Sequence, residues 1–155
     1  MYRERMFDGG NIILLPLVRK EKIKELIYQF DGVFENSVVA RPNFEDALDK
    51  ITNKASVLIA VYENEIVGFC AFYINDFVTN TVYISLIAVD EGCQGNHIGS
   101  LMIDYVKSAA RINGFNKIRL EVDSNNTKGI IFYNHNAFNF ERVASESSKY
   151  MVCNL

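Results

Sequence analysis

Apolar residues recur every three to four positions in three segments of the chain, which is the period of a helix with one buried face. These segments are residues 19–30, a short segment that opens at Asn43, and residues 97–113, and a fourth, short helix is predicted at residues 128–136. Gly114 follows the third segment, and a glycine at this position commonly ends a helix.

Runs rich in β-branched and aromatic residues predict strands between these helices. The predicted strands cover residues 11–17, 56–62, 66–74, 81–89, 117–122, 138–143 and 149–154. The polar residues Glu63, Asn64 and Glu65 predict a tight hairpin between the second and third strands. The order is β-α-α-β-β-β-α-β-α-β-β, and the helix after three consecutive strands predicts one parallel crossover in a mostly antiparallel sheet. We expect a mixed α/β fold in one domain, residues 1–155.

Composition favours an ordinary globular protein. The chain has 155 residues, 49% hydrophobic and 23% charged, with a formal net charge of -3. A negative charge argues against nucleic acid or an anionic membrane as the main partner. No segment approaches the roughly 20 apolar residues that span a bilayer. The start, MYRERMFDGG, is charged and lacks the apolar stretch of a signal peptide. We expect a cytoplasmic protein.

The cysteines and histidines argue against a disulfide framework and against a metal site. Cys70, Cys93 and Cys153 form no CxxC pair, and His97 and His135 are the two histidines of the chain. An odd number of scattered cysteines is typical of a reducing compartment. A zinc site would need most of these distant residues to converge, so we expect no metal.

The connection between the strand at 81–89 and the next helix has the chemistry of an anion site. It contains Gln94, Gly95, Asn96, His97, Ile98, Gly99 and Ser100. A helix N-terminus presents backbone N–H groups and a partial positive charge, and glycines allow close approach of a bulky anion such as pyrophosphate. The alternative is a helix start that binds nothing. The segment matches neither the P-loop nor the dinucleotide-binding fingerprint.

At this point the chain resembles the GCN5-related N-acetyltransferase superfamily. The family signature at this junction is Gln/Arg-x-x-Gly-x-Gly/Ala, and here Gln94 fills the first position and Gly99 the last. His97 replaces the middle glycine, so that a Cβ stands where members usually have none. The resemblance implies that residues 94–100 hold the pyrophosphate of acetyl-coenzyme A.

A second motif downstream strengthens the resemblance, which spans about residues 12–143. Residues 120–138 look like the family pattern LEVxxxN…A…FYxxxGF, with Asn126 seven positions before Tyr133, and with Gly129 and Ala137 replacing the usual alanine and glycine. The resemblance implies a six- to seven-stranded sheet flanked by about four helices, with strands 4 and 5 parallel and splayed. It also implies pantetheine contacts from backbone groups of Ile87, Ala88 and Val89 and from Asn126.

The expected reaction needs a neutral amine and a stabilised leaving thiolate. An alkyl amine has a pKa of about 10.4, so about 4.6 kcal/mol separates it from its neutral form at pH 7. Tyr133 is the candidate acid, because the family commonly places a tyrosine hydroxyl near the cofactor sulfur. Glu121, twelve residues before Tyr133, is the candidate base, as in the glutamate and tyrosine pair of ribosomal-protein alanine acetyltransferases. The alternatives are a packing tyrosine and a solvated or salt-bridged carboxylate.

The histone-type arrangement, with a glutamate on the fourth strand, is not repeated, since Tyr83 stands at the matching position. Cys93 has no evident His/Asp partner and is expected to be a spectator. We expect His135 on the exposed side of its helix. His97 is expected either to contact phosphate or to be a bystander.

Substrate recognition in the family comes from the first two helices and their loop, the fourth-strand face and the later loops, which here suggests residues 30–43 first. The candidate acceptor contacts are Phe34, Glu35, Tyr73, Asp76 and Tyr83. Three functions stay open: an N-acetyltransferase for a small-molecule amine such as an amino sugar, amino acid or polyamine, an N-acetyltransferase for a protein N-terminus or lysine, and a non-catalytic acyl-CoA-binding domain. A homodimer is compatible with the resemblance.

Overall fold

The computed structural model describes residues 12–155. Asn11, the first residue of the first predicted strand, and the segment MYRERMFDGG lie outside the described residues. The strands are β1 (Ile13–Pro16), β2 (Ser56–Tyr62), β3 (Glu65–Asp76), β4 (Thr81–Val89), β5 (Lys117–Asp123), β6 (Asn139–Val143) and β7 (Ser148–Asn154). The helices are α1 (Ile23–Phe30), α2 (Phe44–Lys54), α3 (Ile98–Ile112) and α4 (Thr127–His135).

The seven strands form one mixed sheet in the order β1-β2-β3-β4-β5-β7-β6. β4 and β5 are parallel, with Thr81–Ile84 beside Lys117–Leu120, and β4 then runs on to Val89. β1 pairs with β2, and β7 with both β5 and β6, in antiparallel fashion. The structure therefore confirms the predicted fold class, including the single parallel crossover through α3.

Local chemistry explains where the predicted boundaries were wrong. The predicted helix at 19–30 begins as a 3-10 turn, Lys20–Lys22, before α1 starts at Ile23. The first hairpin has a two-residue loop, Glu63 and Asn64, and both residues have positive φ, as a type I′ turn requires. β3 extends past the predicted end at 74 to Asp76, whose side chain accepts hydrogen bonds from the following turn.

The chain divides into two compact units. The first comprises residues up to Ala71 together with Leu86–Met102, and the second comprises Phe72–Ser85 and Ile103–Leu155. Single-domain organisation stays a prediction. In the first unit, Phe30 of α1 packs its ring against Phe69 of β3 at a centroid distance of 5.5 Å, and both are almost fully buried. Burying such a side chain stabilises a fold by about 1.5–3 kcal/mol.

In the second unit, β5 shows the alternation that the sequence predicts. Leu120 and Val122 are buried, whereas Arg119 and Asp123 are half-buried and Glu121 is exposed. The charged side of β5 therefore holds all four charged residues of the strand, Lys117 included, and the opposite side faces the core. Within residues 12–155, no helix is long and apolar enough to cross a membrane.

Candidate functional site

The connection from β4 to α3 begins with a tight turn capped by Asp90. Its Oδ1 accepts a hydrogen bond from the Gly92 N–H at 3.0 Å, and its carbonyl accepts one from the Cys93 N–H at 2.8 Å. Cys93 has no exposed surface and forms no disulfide within the described part of the chain. An enclosed side chain of this size packs the turn, and the spectator role of Cys93 stays a prediction.

Two amide side chains brace the next part of the loop from within. Gln94 donates from Nε2 to the carbonyl of Val89 at 3.1 Å, and Asn96 donates from Nδ2 to the carbonyl of Cys93 at 3.0 Å. These contacts tie the last carbonyl of β4 and a carbonyl of the connection to side chains of the loop. Gln94, the first residue of the family signature, thus holds the loop against the end of β4.

Left-handed backbone at two residues turns the chain into α3. Gly95 has φ 84° and His97 has φ 62°. The carbonyl of His97 accepts the first helical hydrogen bond, from the Leu101 N–H at 3.0 Å. Helix geometry leaves the amides of Ile98, Gly99 and Ser100 without an acceptor inside the helix, and such amides are a binding site for anions.

His97 lies outside the helix, so the predicted start of that helix was wrong by one residue. Its left-handed φ gives a physical reason for a glycine in the family signature, because a Cβ disfavours this conformation. Histidine is among the non-glycine residues enriched there. The conformation of His97 therefore carries a cost in backbone strain.

The end of β4 supplies the three residues predicted to meet the pantetheine arm. Ile87 and Val89 are half-buried and Ala88 is buried, in keeping with strand alternation. The Asp90 N–H donates to the carbonyl of Val67 on β3 at 2.9 Å. A Cβ on Gly68 would lie 2.9 Å from the Ala88 carbonyl oxygen, so only glycine fits there without a shift.

In the second unit, Glu121 projects from the charged side of β5. Glu121 is exposed, and its Oε2 accepts a hydrogen bond from the Ser148 hydroxyl at 2.6 Å. Arg119, two residues earlier, instead forms a bidentate pair with Glu141, at 2.7 and 2.8 Å. Glu121 is therefore a hydrogen-bonded and water-accessible carboxylate, and the neighbouring arginine is engaged elsewhere.

Helix α4 carries the downstream motif. Asn126 caps its N-terminus, with Oδ1 accepting from the Gly129 N–H at 2.9 Å. Tyr133 is half-buried, and its ring meets Phe132 and the fully buried Phe138 at centroid distances of 5.3 and 5.9 Å. Ala137, which replaces the usual glycine, has φ 69°. Its backbone thus shows the same left-handed conformation as His97.

The model of the acetyltransferase (GNAT) family matches residues 22–138 of the chain. The chain belongs to this family. The match includes both the loop from Gln94 to Ser100 and the motif from Asn126 to Tyr133.

Solved structures of family members share the fold over almost the whole chain. A GNAT family acetyltransferase from Elizabethkingia anophelis with acetyl-CoA bound superposes with a TM-score of 0.73 at 19% identity, covering 95% of this chain and 100% of that one. PaiA N-acetyltransferase from Thermoplasma acidophilum, in complex with coenzyme A, gives 0.72 at 16% identity, covering 94% and 100%. Nourseothricin acetyltransferase gives 0.72 at 16%, covering 94% and 99%.

The five residues of this GNAT protein that are predicted to contact the acceptor differ from one another in burial and in their contacts. In the first unit, Phe34 is half-buried with its ring edge-on to Phe69 at 6.4 Å, and Glu35 is exposed. In the second, Tyr73 is buried, Tyr83 is half-buried and the oxygens of Asp76 accept hydrogen bonds from Val78 and Thr79. Burial raises the pKa of the Tyr73 phenol, while its hydrogen bond with Ser85 opposes the rise.

Asp76 therefore has a task in the β3–β4 turn, where its bonds to Thr79 lower the pKa of its carboxyl. The roles of all five residues in acceptor binding stay predictions. Two residues of interest were missed from the sequence, Gly68 and Ser148. An isolated glycine within a strand was an available signal for Gly68. Nothing in the sequence pattern marks Ser148, because its contact with Glu121 depends on the pairing of β5 with β7.

Proposed function

We propose that this GNAT protein transfers the acetyl group of acetyl-CoA directly to the amine of a small molecule, of the amino sugar, amino acid or polyamine type. The observation that carries the proposal is the loop from Gln94 to Ser100. It combines two left-handed residues, an internal brace at Gln94 and the N-terminus of the 15-residue helix α3.

The residues present in the loop suit a coenzyme A pyrophosphate. The amides of Ile98, Gly99 and Ser100 start a helix, and the side chains of Gln94 and Asn96 bond to backbone carbonyls at the end of β4 and in the connection. Because those side chains turn toward the loop, we assign anion binding to backbone N–H groups, with the positive end of α3 adding attraction. Family resemblance assigns the pantetheine arm to Ile87, Ala88, Val89 and Asn126.

Acetyl-CoA, when bound, supplies an activated thioester carbonyl. Glu121 takes a proton from the ammonium of the acceptor, and its exposed position allows that proton to pass on to water. Tyr133 donates from its hydroxyl toward the leaving sulfur, with its ring held by contact with Phe138.

A small cationic acceptor is supported by the charge of the chain. With 19 acidic and 16 basic residues, the protein attracts cations at long range. We place the reaction in the cytoplasm, since the buried residues Cys70, Cys93 and Cys153 form no disulfide within residues 12–155. Acetylation of a protein N-terminus or lysine is the alternative within the same chemistry. A non-catalytic acyl-CoA-binding domain is the alternative outside it, and His97 in the signature loop is the observation that favours it.

Calorimetry with acetyl-CoA, followed by detection of free thiol, tests the proposal. The acceptor panel contains an amino sugar, an amino acid, a polyamine, a peptide with a free N-terminus and a lysine peptide with a blocked N-terminus. Binding with amine-dependent thiol release from one of the first three supports the proposal. Release with peptides alone favours the protein-acetylating alternative, and binding without release favours the non-catalytic one. If acetyl-CoA does not bind, all three are wrong.

A further inference from the structure

Ser148 is the first residue of β7 and is buried, with 8% of its surface exposed. In the antiparallel pairing of β5 with β7, Ser148 lies opposite Asp123 and Tyr150 lies opposite Glu121. Strand residues two positions apart share a face. Ser148 and Glu121 are therefore diagonal neighbours on the charged side of β5, where the Ser148 Oγ lies 2.6 Å from the Glu121 Oε2.

The hydroxyl of Ser148 belongs to a chain of hydrogen bonds that points toward this carboxylate. The Ser147 N–H donates to the Ser145 Oγ at 3.2 Å, and the Oγ atoms of Ser145 and Ser148 lie 2.7 Å apart. An ionised carboxylate only accepts, and a hydroxyl has one proton. Since Ser148 gives its proton to Glu121, Ser145 must donate to Ser148. Donors aligned in sequence strengthen one another.

We propose that Ser148 is a positioning residue that orients the carboxylate of Glu121 for its role as general base. This inference rests on the proposed function. An exposed glutamate samples several rotamers, and fixing a long side chain costs up to about 2 kcal/mol of conformational entropy. The hydrogen bond to Oε2, made by a buried and braced donor, selects one orientation. We assign the incoming proton to Oε1, because Oε2 already accepts from Ser148.

The competing explanation for an ordered Glu121 is an ion pair with Arg119 on the same side of β5. Arg119 makes its bidentate pair with Glu141, and both side chains are about one-fifth exposed. Within residues 12–155, no salt bridge reaches Glu121, whose hydrogen-bond partner is Ser148. The serine is thus the group that fixes the carboxylate.

Steady-state kinetics on the full chain test the inference, with free-thiol release measured against amine and acetyl-CoA concentrations. The variants are Ser148→Ala, Ser148→Thr, Glu121→Gln and the double variant with Ser148→Ala and Glu121→Gln. Ser147→Ala is the matched control, since it keeps the backbone N–H of the chain. We expect Ser148→Ala to lower kcat about tenfold. This is less than the roughly 100-fold or larger loss expected when the general base itself is removed. KM for acetyl-CoA should not change. Ser148→Thr, which keeps a hydroxyl, should have the kcat of the wild type.

In the Glu121→Gln background, Ser148→Ala should have no further effect, because residues that act as a unit are not additive. Equal kcat for Ser148→Ala and wild type, with Glu121→Gln slow, overturns the inference and leaves the proposed function intact. If Glu121→Gln has the wild-type rate, Glu121 is not the general base and Ser148 is not its positioning residue. Thermal unfolding checks the fold of each variant. If Ser148→Ala fails to fold, Ser148→Cys replaces it. A kcat of Ser148→Cys equal to that of the wild type would likewise reject the inference. A wild-type protein that acetylates no amine overturns both proposals.

Discussion

The side chain of Asn126 lies over Gly129 at the start of α4. Its Oδ1 accepts from the Gly129 N–H at 2.9 Å, and a Cβ on Gly129 would lie 2.5 Å from its Nδ2. The family pattern that the chain resembles has alanine where this chain has Gly129. The glycine therefore gives the amide of Asn126 space to act as the helix cap.

This contact predicts that Gly129→Ala displaces the Asn126 amide and removes the cap. Asn126→Ala should cost about 1 kcal/mol of unfolding free energy in the wild type, the usual value of an N-cap. In the Gly129→Ala background the same substitution should cost almost nothing. Urea unfolding of the four variants measures both differences. Equal costs of Asn126→Ala in the two backgrounds would show that the cap survives beside alanine.

The left-handed residues His97 and Ala137 make a second prediction. Because both have positive φ, at 62° and 69°, His97→Gly and Ala137→Gly should each raise the unfolding free energy by roughly 0.5–1 kcal/mol. The relief of strain exceeds the entropy that glycine adds to the unfolded chain. Thermal and urea unfolding measure the gain. A matched control is Ala109→Gly inside α3, which should destabilise by about 1 kcal/mol.

Substitution of Gly95 tests whether the loop conformation affects acetyl-CoA binding separately from the stability of the fold. Its φ is 84° and a Cβ would meet nothing within 4 Å, so the cost of Gly95→Ala comes from the backbone alone. We expect a loss of about 1 kcal/mol in stability and a weaker affinity for acetyl-CoA. Gly114→Ala is the control, since Gly114 has φ 81°, equally open space and a place beyond the other end of α3.

Calorimetry compares the acetyl-CoA affinity of these two variants. Gly114→Ala should lose similar stability but keep wild-type affinity. If both variants bind acetyl-CoA as the wild type does, the loop conformation at Gly95 does not contribute to binding.

Tyr133→Phe tests the candidate acid. The substitution keeps the ring that contacts Phe138 and removes the hydroxyl, so acetyl-CoA affinity should stay nearly unchanged. We expect kcat to fall about 100-fold, within the usual range for loss of a general acid. Tyr105→Phe on α3, at a position 38% exposed, is the control and should leave kcat unchanged. Unchanged turnover in Tyr133→Phe would exclude this hydroxyl as the acid.

The pair of Arg119 and Glu141 predicts a pH dependence of stability. The hydrogen bonds from Arg119 lower the pKa of Glu141 in the folded state. The contribution is therefore fully present above the unfolded pKa of about 4.3 and is lost as pH falls through the lower folded value. Glu141→Gln should cost about 1–2 kcal/mol at pH 7 and progressively less below pH of about 4.

Chemical unfolding between pH 3 and pH 7 measures this difference. Glu21→Gln is the control, because the pair of Arg19 and Glu21 is largely exposed, and its removal should leave the curve unchanged. A constant cost of Glu141→Gln across the pH range would show that ionisation of Glu141 does not stabilise the fold.

Local sequence patterns were sufficient to predict the helices and strands and to recognise the family. The period of apolar residues predicted three of the four helices, and alternation correctly separated Arg119, Glu121 and Asp123 from Leu120 and Val122. The crossover through α3 predicted the parallel pair of β4 and β5. Boundaries were less accurate, as at residues 19–22, because the choice between a 3-10 turn and an α-helix depends on contacts beyond the local sequence.

The candidate loop from Gln94 to Ser100 was also visible in the sequence, as was the departure at His97. What the sequence could not give was the left-handed φ of His97, the inward bond of Gln94 to Val89 and the place of Asn126 over Gly129. The contact between Ser148 and Glu121 joins residues 27 positions apart. Sequence fixes the order and chemistry of side chains, whereas strand pairing decides which distant groups come within hydrogen-bonding distance.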